Sequence, residues 1–303
     1  MQDKINSILI IGANGNVATL LARKFSERNA SLTGIDLHPG PSIPDVYSGY
    51  LSLDILDAEN TPDRLLSIMN VDCVLICLPE QTAISALPVI LRGMASGMLL
   101  VDTLSVKSHY IGAFSKNIEI AGKDIQMISI NPMFNPALGF KENNVAVINM
   151  RKGPLASAFV SLLKSWGANL AFLTAEEHDA NMAAIQVATH ASLLSFGLAL
   201  SKMGYNIQEA KNLRTPMHAH LLYLLSRILT GTPEVYWDIQ CENPNAERAR
   251  MVLWESITEL NKAVNKQDRT EFENLLQCLR ELIGPELDHL AKNCAQLFEM
   301  PDI

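Results

Sequence analysis

The sequence predicts an α/β chain with an N-terminal Rossmann-type nucleotide-binding domain and a C-terminal all-helical dimerisation domain. Three observations predict it. Short apolar runs alternate with amphipathic segments through the first half, and a glycine turn opens the first such pair. From about residue 174, helical periodicity replaces the strand pattern.

The strand candidates are "SILIIG" (7–12), "SLTGID" (31–36), "DCVLICLP" (72–79), "GMLLVDT" (97–103), "IQMISIN" (125–131) and "NNVAVINM" (143–150). Their nearly unbroken apolar character suits strands covered on both faces of a parallel sheet. Between them, "VATLLARKFSER" (17–28) and "TAISALPVILRGMAS" (82–96) space apolar residues as helices do. "PLASAFVSLLKSWG" followed by "ANLAFLT" adds one more helix and strand, closing a domain at 1–174. The remainder, 175–303, begins with a long helical stretch whose Glu176, Glu177 and Asp179 suit the positive end of a helix dipole. No strand is expected beyond it, and the helical domain is expected to dock directly on the first.

The run "ILIIGANGNVATLL" reads as strand, turn and helix start. Against the dinucleotide pattern G-x-G-x-x-G, alanines hold two of the glycine positions, but Gly12 and Gly15 still permit a tight turn and close backbone approach. Asn14, Asn16 and Val17 complete the turn, and Asp36 ends the second strand. A carboxylate there accepts hydrogen bonds from ribose hydroxyls and repels a 2′-phosphate, so NAD is expected rather than NADP. Only His38 follows as a potential cation in "DLHPG". Leu78, Pro79 and Thr103, at the ends of later strands, are candidates for the nicotinamide side; an ordinary turn at "CLPEQT" is the competing reading.

Hydrophobic residues make up 48% of the 303 and charged residues 18%, a globular composition. A formal charge of −8 and no Lys/Arg cluster argue against nucleic acid as a partner. No signal region or membrane span is expected. Five cysteines without a CxxC or Cys/His grouping read as buried free thiols of a cytoplasmic protein, and no metal site is expected.

"LLVDTLSVKS" (99–108), "ISINPMFNP" (128–136) and "TAEEHDANMAAIQVATHASLLSFGLAL" (174–200) together resemble the prephenate/arogenate dehydrogenase family, closest to the enterobacterial dehydrogenase domain fused to chorismate mutase. The likeness extends over nearly the whole chain, through "LTGTPEVYWDIQCENPNAERA" (229–247). No chorismate mutase segment is expected, since the chain starts at its first strand. The resemblance implies a homodimer formed by the helical domain and NAD(P)-dependent oxidative decarboxylation, in which a His takes the proton of a ring hydroxyl. It places Ser105 and Lys107 in an S-V-K element near the substrate. Gln186 and His190 fall on the helix that lines the pocket. His178, in the E-H-D element, reads equally as helix-start packing.

Two positions depart from the family pattern. Its catalytic His precedes Pro-Met-Phe-Gly, and here Asn131 precedes Pro132, Met133, Phe134 and Asn135. An amide hydrogen-bonds but takes no proton at neutral pH. The family Arg that holds a substrate carboxylate is replaced by Ala219, with His218 and His220 on either side. Three readings follow: an oxidoreductase of this family acting on a prephenate-related or amino-acid-derived ring through Asn131, Ser105 and His190, with Lys107, Met133, Gln186, His218 and Ala219 around the substrate; a genuine prephenate or arogenate dehydrogenase with rearranged groups; or an inactive NAD-binding dimer.

Overall fold

The computed structural model describes residues 5–37, 45–59 and 65–299; His38 lies outside them. The chain divides into two compact units, Met1–Met182 with Trp237–Pro244, and Ala183–Tyr236 with Asn245–Ile303. The strands end where the sequence pattern changes, but the units divide several residues later, inside the long helical stretch.

The first unit is built on an eight-stranded sheet in the order β3-β2-β1-β4-β5-β6-β7-β8. Its strands are β1 (Ser7–Ile11), β2 (Ser31–Asp36), β3 (Gly49–Ser52), β4 (Cys73–Ile76), β5 (Leu99–Asp102), β6 (Gln126–Pro132), β7 (Asn144–Arg151) and β8 (Asn169–Phe172). Helices α1 (Asn16–Ser26), α2 (Glu80–Gly93), α3 (Ser108–Ala121) and α4 (Pro154–Ser165) cover it. Both faces of β1 are apolar, as covering on both sides requires. Ile8 and Ile10 join the cluster around Phe25 and Phe159, whereas Leu9 and Ile11 join the one around Leu87, Ile90 and Phe114.

Two features depart from the sequence expectation. Strand β3 was not anticipated: "GYLS" is four residues, partly exposed, and carries no apolar run. The sheet is also not wholly parallel, because β7 runs antiparallel to β6. Residues 133–143 are too few for the crossover helix that a parallel return needs. The loop turns back instead, with Asn135 accepting from Ala137 N at 3.1 Å and the Phe134 ring 5.5 Å from that of Phe140.

Among the described residues after Thr174 the regular structure is helical and no strand occurs, as expected. It comprises α5 (Ala175–Met182), a π-helical turn at Ala183–Ala188, then α6 (Thr189–Lys202), α7 (Pro216–Leu229), α8 (Pro233–Cys241), α9 (Ala246–Asn265), α10 (Arg269–Ile283) and α11 (Leu287–Phe298). Thr174 and Glu177 start α5 with a reciprocal capping box: Thr174 N donates to the Glu177 carboxylate and Glu177 N to the Thr174 hydroxyl. The run Ala175–Lys202 has the length and apolarity to cross a membrane, on those two criteria alone. The cysteines correct an expectation. All five are free, but only Cys73 is buried; Cys241, Cys278 and Cys294 are exposed, because the helical faces that carry them have no cover within the chain.

Candidate active site

The carboxyl ends of β1, β2, β4, β5 and β6 share one edge of the sheet, where ligands bind in folds of this kind. At the first of them Gly12 adopts φ +84°, and a Cβ there would lie 2.2 Å from the Cys77 carbonyl oxygen. Only glycine fits both constraints. Gly12 N and Ala13 N both donate to Ile35 O, at 2.9 and 3.0 Å, which draws the turn against β2. Gly15 precedes the N-terminus of α1, whose first residues are Asn16 and Val17. A Cβ on Gly15 would crowd the Gly12 carbonyl at 3.3 Å.

Asp36 accepts from Asn14 N at 3.0 Å, and the Asn14 side-chain Oδ1 accepts from the Tyr50 hydroxyl at 3.0 Å. Tyr50 lies on β3 and escaped the sequence reading with that strand. Burial and the Asp36 charge push its phenol upward, so it stays protonated and donates. Thr103 donates to Ile76 O at 3.2 Å, and Leu78 and Pro79 lead into α2. Glycine turn, open helix N-terminus and strand-end carboxylate together fit the pyrophosphate and ribose of a dinucleotide.

The Asn131 neighbourhood is almost dry. Asn131 is 3% exposed and His178 fully buried. Asn131 Nδ2 lies 3.1 Å from His178 Nε2, and His178 Nδ1 lies 2.9 Å from Asp179 Oδ1. Asp179 also accepts from Lys107 N and Ser108 N at 3.0 and 2.8 Å, and Asn243 Nδ2 donates to its carbonyl at 2.9 Å. Burial works against the Asp179 charge, yet the bonds from His178 and Ser108 hold the carboxyl below its usual range. Burial likewise lowers His178, against the pull of Asp179.

These facts fix the proton positions. An ionised carboxylate only accepts, so His178 Nδ1 carries the proton. Burial lowers the ring's pKa from 6.5, so at neutral pH the ring is uncharged and Nε2, without the proton, accepts. The donor to it is therefore the Asn131 NH2, and the Asn131 carbonyl oxygen points elsewhere. Among the described residues, no other hydrogen bond engages the Asn131 side chain.

Three expectations change here. His178, which reads from sequence equally as packing, is the partner of Asn131; no local signal carried this, because 47 residues separate them. Asp179 does not serve its own helix but caps α3. Lys107, expected at the substrate, is fully buried, with Nζ held 2.9 Å from Asp102 Oδ1 and 2.7 Å from Ile130 O. Its ammonium needs both partners to remain charged in a dry site, and it anchors the carbonyl just before Asn131. Ser105 sits half-buried between Asp102 and Lys107, and no hydrogen bond ties it to Asn131 or His178. Met133 follows β6, its amide donating to Asn144 O at 3.0 Å.

The remaining candidates belong to the second unit. Gln186 lies in the π-helical turn, with Oε1 buried and unbonded. His190 Nδ1 is also buried without a partner, its ring 5.1 Å from that of Tyr236. Burial, then the charge of Arg227, lowers His190. The His218 ring stands near Phe196 and Tyr205, with Nε2 buried and unbonded, and Ala219 follows it on α7.

The profile of the prephenate dehydrogenase dimerization domain matches residues 174–280. The chain is 37% identical over 290 residues to the 4-amino-4-deoxyprephenate dehydrogenase of Streptomyces pristinaespiralis, covering 96% of this chain and 95% of the relative. It belongs to the prephenate dehydrogenase family. It is therefore an oxidoreductase that uses a nicotinamide cofactor. A probable arogenate/prephenate dehydrogenase of Methanocaldococcus jannaschii is 22% identical over 292 residues, spanning 94% of this chain and 63% of that protein. In fold, the chain is similar to the Aquifex aeolicus prephenate dehydrogenase solved with hydroxyphenyl propionate and NAD+, at TM-score 0.67 and 18% identity, covering 94% of this chain and all of that one.

Proposed function

We propose that the protein is an NAD-dependent dehydrogenase of a prephenate-like ring that carries an amino group, rather than a hydroxyl, at C4. The observation that carries the reading is the oriented amide of Asn131. His178 and Asp179 fix its NH2, which leaves the carbonyl oxygen to accept an N–H from the substrate. The name of the 37% identical Streptomyces relative supports the same substrate class.

Bound nicotinamide supplies a hydride acceptor for C4, while the ring loses CO2 and becomes aromatic. A C4 hydroxyl must surrender its proton as the hydride leaves, which calls for a base. A neutral C4 amine has a lone pair that stabilises the developing cation directly, so no base is needed at that moment. Asn131 then has to orient and not deprotonate, and an amide suffices. Asp36, Asn14, Gly12 and Gly15 hold the dinucleotide, with the Asp36 carboxylate favouring an unphosphorylated ribose. Ser105 and Met133, which share the first unit with Asn131, are proposed to contact the substrate. Ala219 is proposed to mark a carboxylate contact that this enzyme lacks.

We further propose a homodimer formed through the helical domain. Neither α10 nor α11 buries a single side chain within the chain, and Leu279, Leu282, Leu290 and Leu297 are exposed. Five free cysteines support a reducing cytoplasm.

The test is steady-state kinetics with NAD and each of the two substrates, following the reduced cofactor by absorbance. The amino substrate is expected to be preferred by roughly 100-fold or more in kcat/KM, as for sites built around one hydrogen bond. Equal or faster turnover of prephenate would sink the reading.

A further inference from the structure

The first unit also gathers side chains that the dehydrogenase chemistry does not use. Glu80 opens α2, His109 lies in the first turn of α3, and Asp238 and Glu242 come from the returning segment Trp237–Pro244. One donor atom each from Glu80, His109 and Glu242 lies within 4.8 Å of the others. Nothing in the local sequence announces the group, because its members come from three distant stretches.

Glu80 is the decisive member. It is 1% exposed, and both of its carboxylate oxygens are buried without a hydrogen-bond partner. Its Oε1 faces His109 Nδ1 at 3.6 Å, and Glu242 Oε2 lies 3.9 Å from the same nitrogen. Both distances are too long for hydrogen bonds. A buried carboxylate left unbonded is costly, and native interiors rarely tolerate one.

The surroundings make it worse. Asp238 Oδ2 accepts from Glu80 N at 3.0 Å, and Gln81 Nε2 holds Glu242 Oε2 at 2.8 Å. Two carboxylates, those of Glu80 and Glu242, face a single imidazole. Within the group, Glu80 Oε1 and Oε2 both stay without a hydrogen bond.

We infer that Glu80, His109 and Glu242 form a site for a divalent transition-metal ion, such as Mn2+ or Zn2+. Two carboxylates and an imidazole are a donor set that such ions take readily. An ion about 2.0–2.2 Å from each donor would hold donor pairs roughly 3.3–3.5 Å apart. The observed 3.6 and 3.9 Å separations lie a small side-chain adjustment away. The ion would join the starts of α2 and α3 to the returning segment, a structural clip within the first unit that is independent of which substrate Asn131 admits.

The test uses the full chain, freed of metal by a chelator and titrated with Mn2+, with free ion followed by electron paramagnetic resonance. Mn2+ is chosen because the exposed Cys241, Cys278 and Cys294 thiols compete poorly for it. One saturable ion per chain is expected, together with a rise in Tm on loading. Glu80→Gln keeps the shape and His109→Ala alters a half-exposed residue; each is expected to weaken binding at least tenfold and to abolish the Tm rise, with circular dichroism unchanged. No saturable binding overturns the assignment, and so does binding that survives either substitution.

Discussion

The side-chain nitrogen of Asn131 lies 3.1 Å from His178 Nε2, and the far nitrogen of that ring is held 2.9 Å from Asp179. A carboxylate two groups away thus decides which end of the amide is left free. Asp179→Asn is expected to lower kcat/KM for the amino substrate by roughly 10- to 1,000-fold, because the ring is free to take the other tautomer and turn the amide round. Steady-state kinetics with a KM-against-kcat split checks it; an unchanged kcat/KM would remove Asp179 from the chain of positioning groups.

Asn131→Ala deletes the acceptor itself. A hydrogen bond to a charged or developing cationic group contributes about 1.5–3 kcal/mol, so the loss in kcat/KM is expected at roughly 10- to 150-fold. Asn131→His is expected to raise the ratio of prephenate to amino-substrate turnover. A ratio that stays flat across both variants would show that C4 is read elsewhere.

His178 gives a pH dependence whose sign follows from its direction. Its folded-state pKa is lowered from 6.5, so the unfolded chain binds more protons in the window just below that value. Stability therefore falls as pH drops from about 6.5 through the folded-state value, since slope follows the excess protons of the unfolded state. Thermal melts between pH 7 and 5 should show this loss in the wild type, and a smaller one in His178→Gln.

Lys107→Met removes one partner of a fully buried ion pair and leaves Asp102 unpaired. A cost of about 3–5 kcal/mol is expected, seen as a large drop in the denaturant midpoint. The change also frees the Ile130 carbonyl, so any variant that folds should lose kcat more than it loses cofactor affinity.

Gly12→Ala places a methyl 2.2 Å from the Cys77 carbonyl at a backbone angle that alanine disfavours. NAD affinity measured by calorimetry is expected to fall at least tenfold. Gly15→Ala, with its nearest atom at 3.3 Å and an ordinary φ, should be the milder of the two.

The fold was largely legible because its signals are local. Seven strands announce themselves as apolar runs, and the glycine turn and Asp36 mark their ends. Strand β3 was hidden because four half-exposed residues carry no pattern, and Tyr50 was hidden with it. The antiparallel β7 follows from the short loop 133–143, whose length leaves no room for a crossover helix. At the site, the sequence reading singled out Asn131 but set no partner beside it. His178, Asp179 and the trio of Glu80, His109 and Glu242 are brought together by sheet order and by the return of residues 237–244. Spacing along the chain contains no trace of that.

The π-helical turn at Ala183–Ala188 has a consequence for how this protein could change. A π turn holds one more residue than the α-helix around it requires. Deleting a single residue there would return the turn to regular winding and the bulge would absorb the change, so the side chains of α6 keep their phase; the same deletion in plain α-helix would turn them by about 100°. His190 would keep its direction. The turn is a place where one codon can be lost without redirecting the helix beyond it.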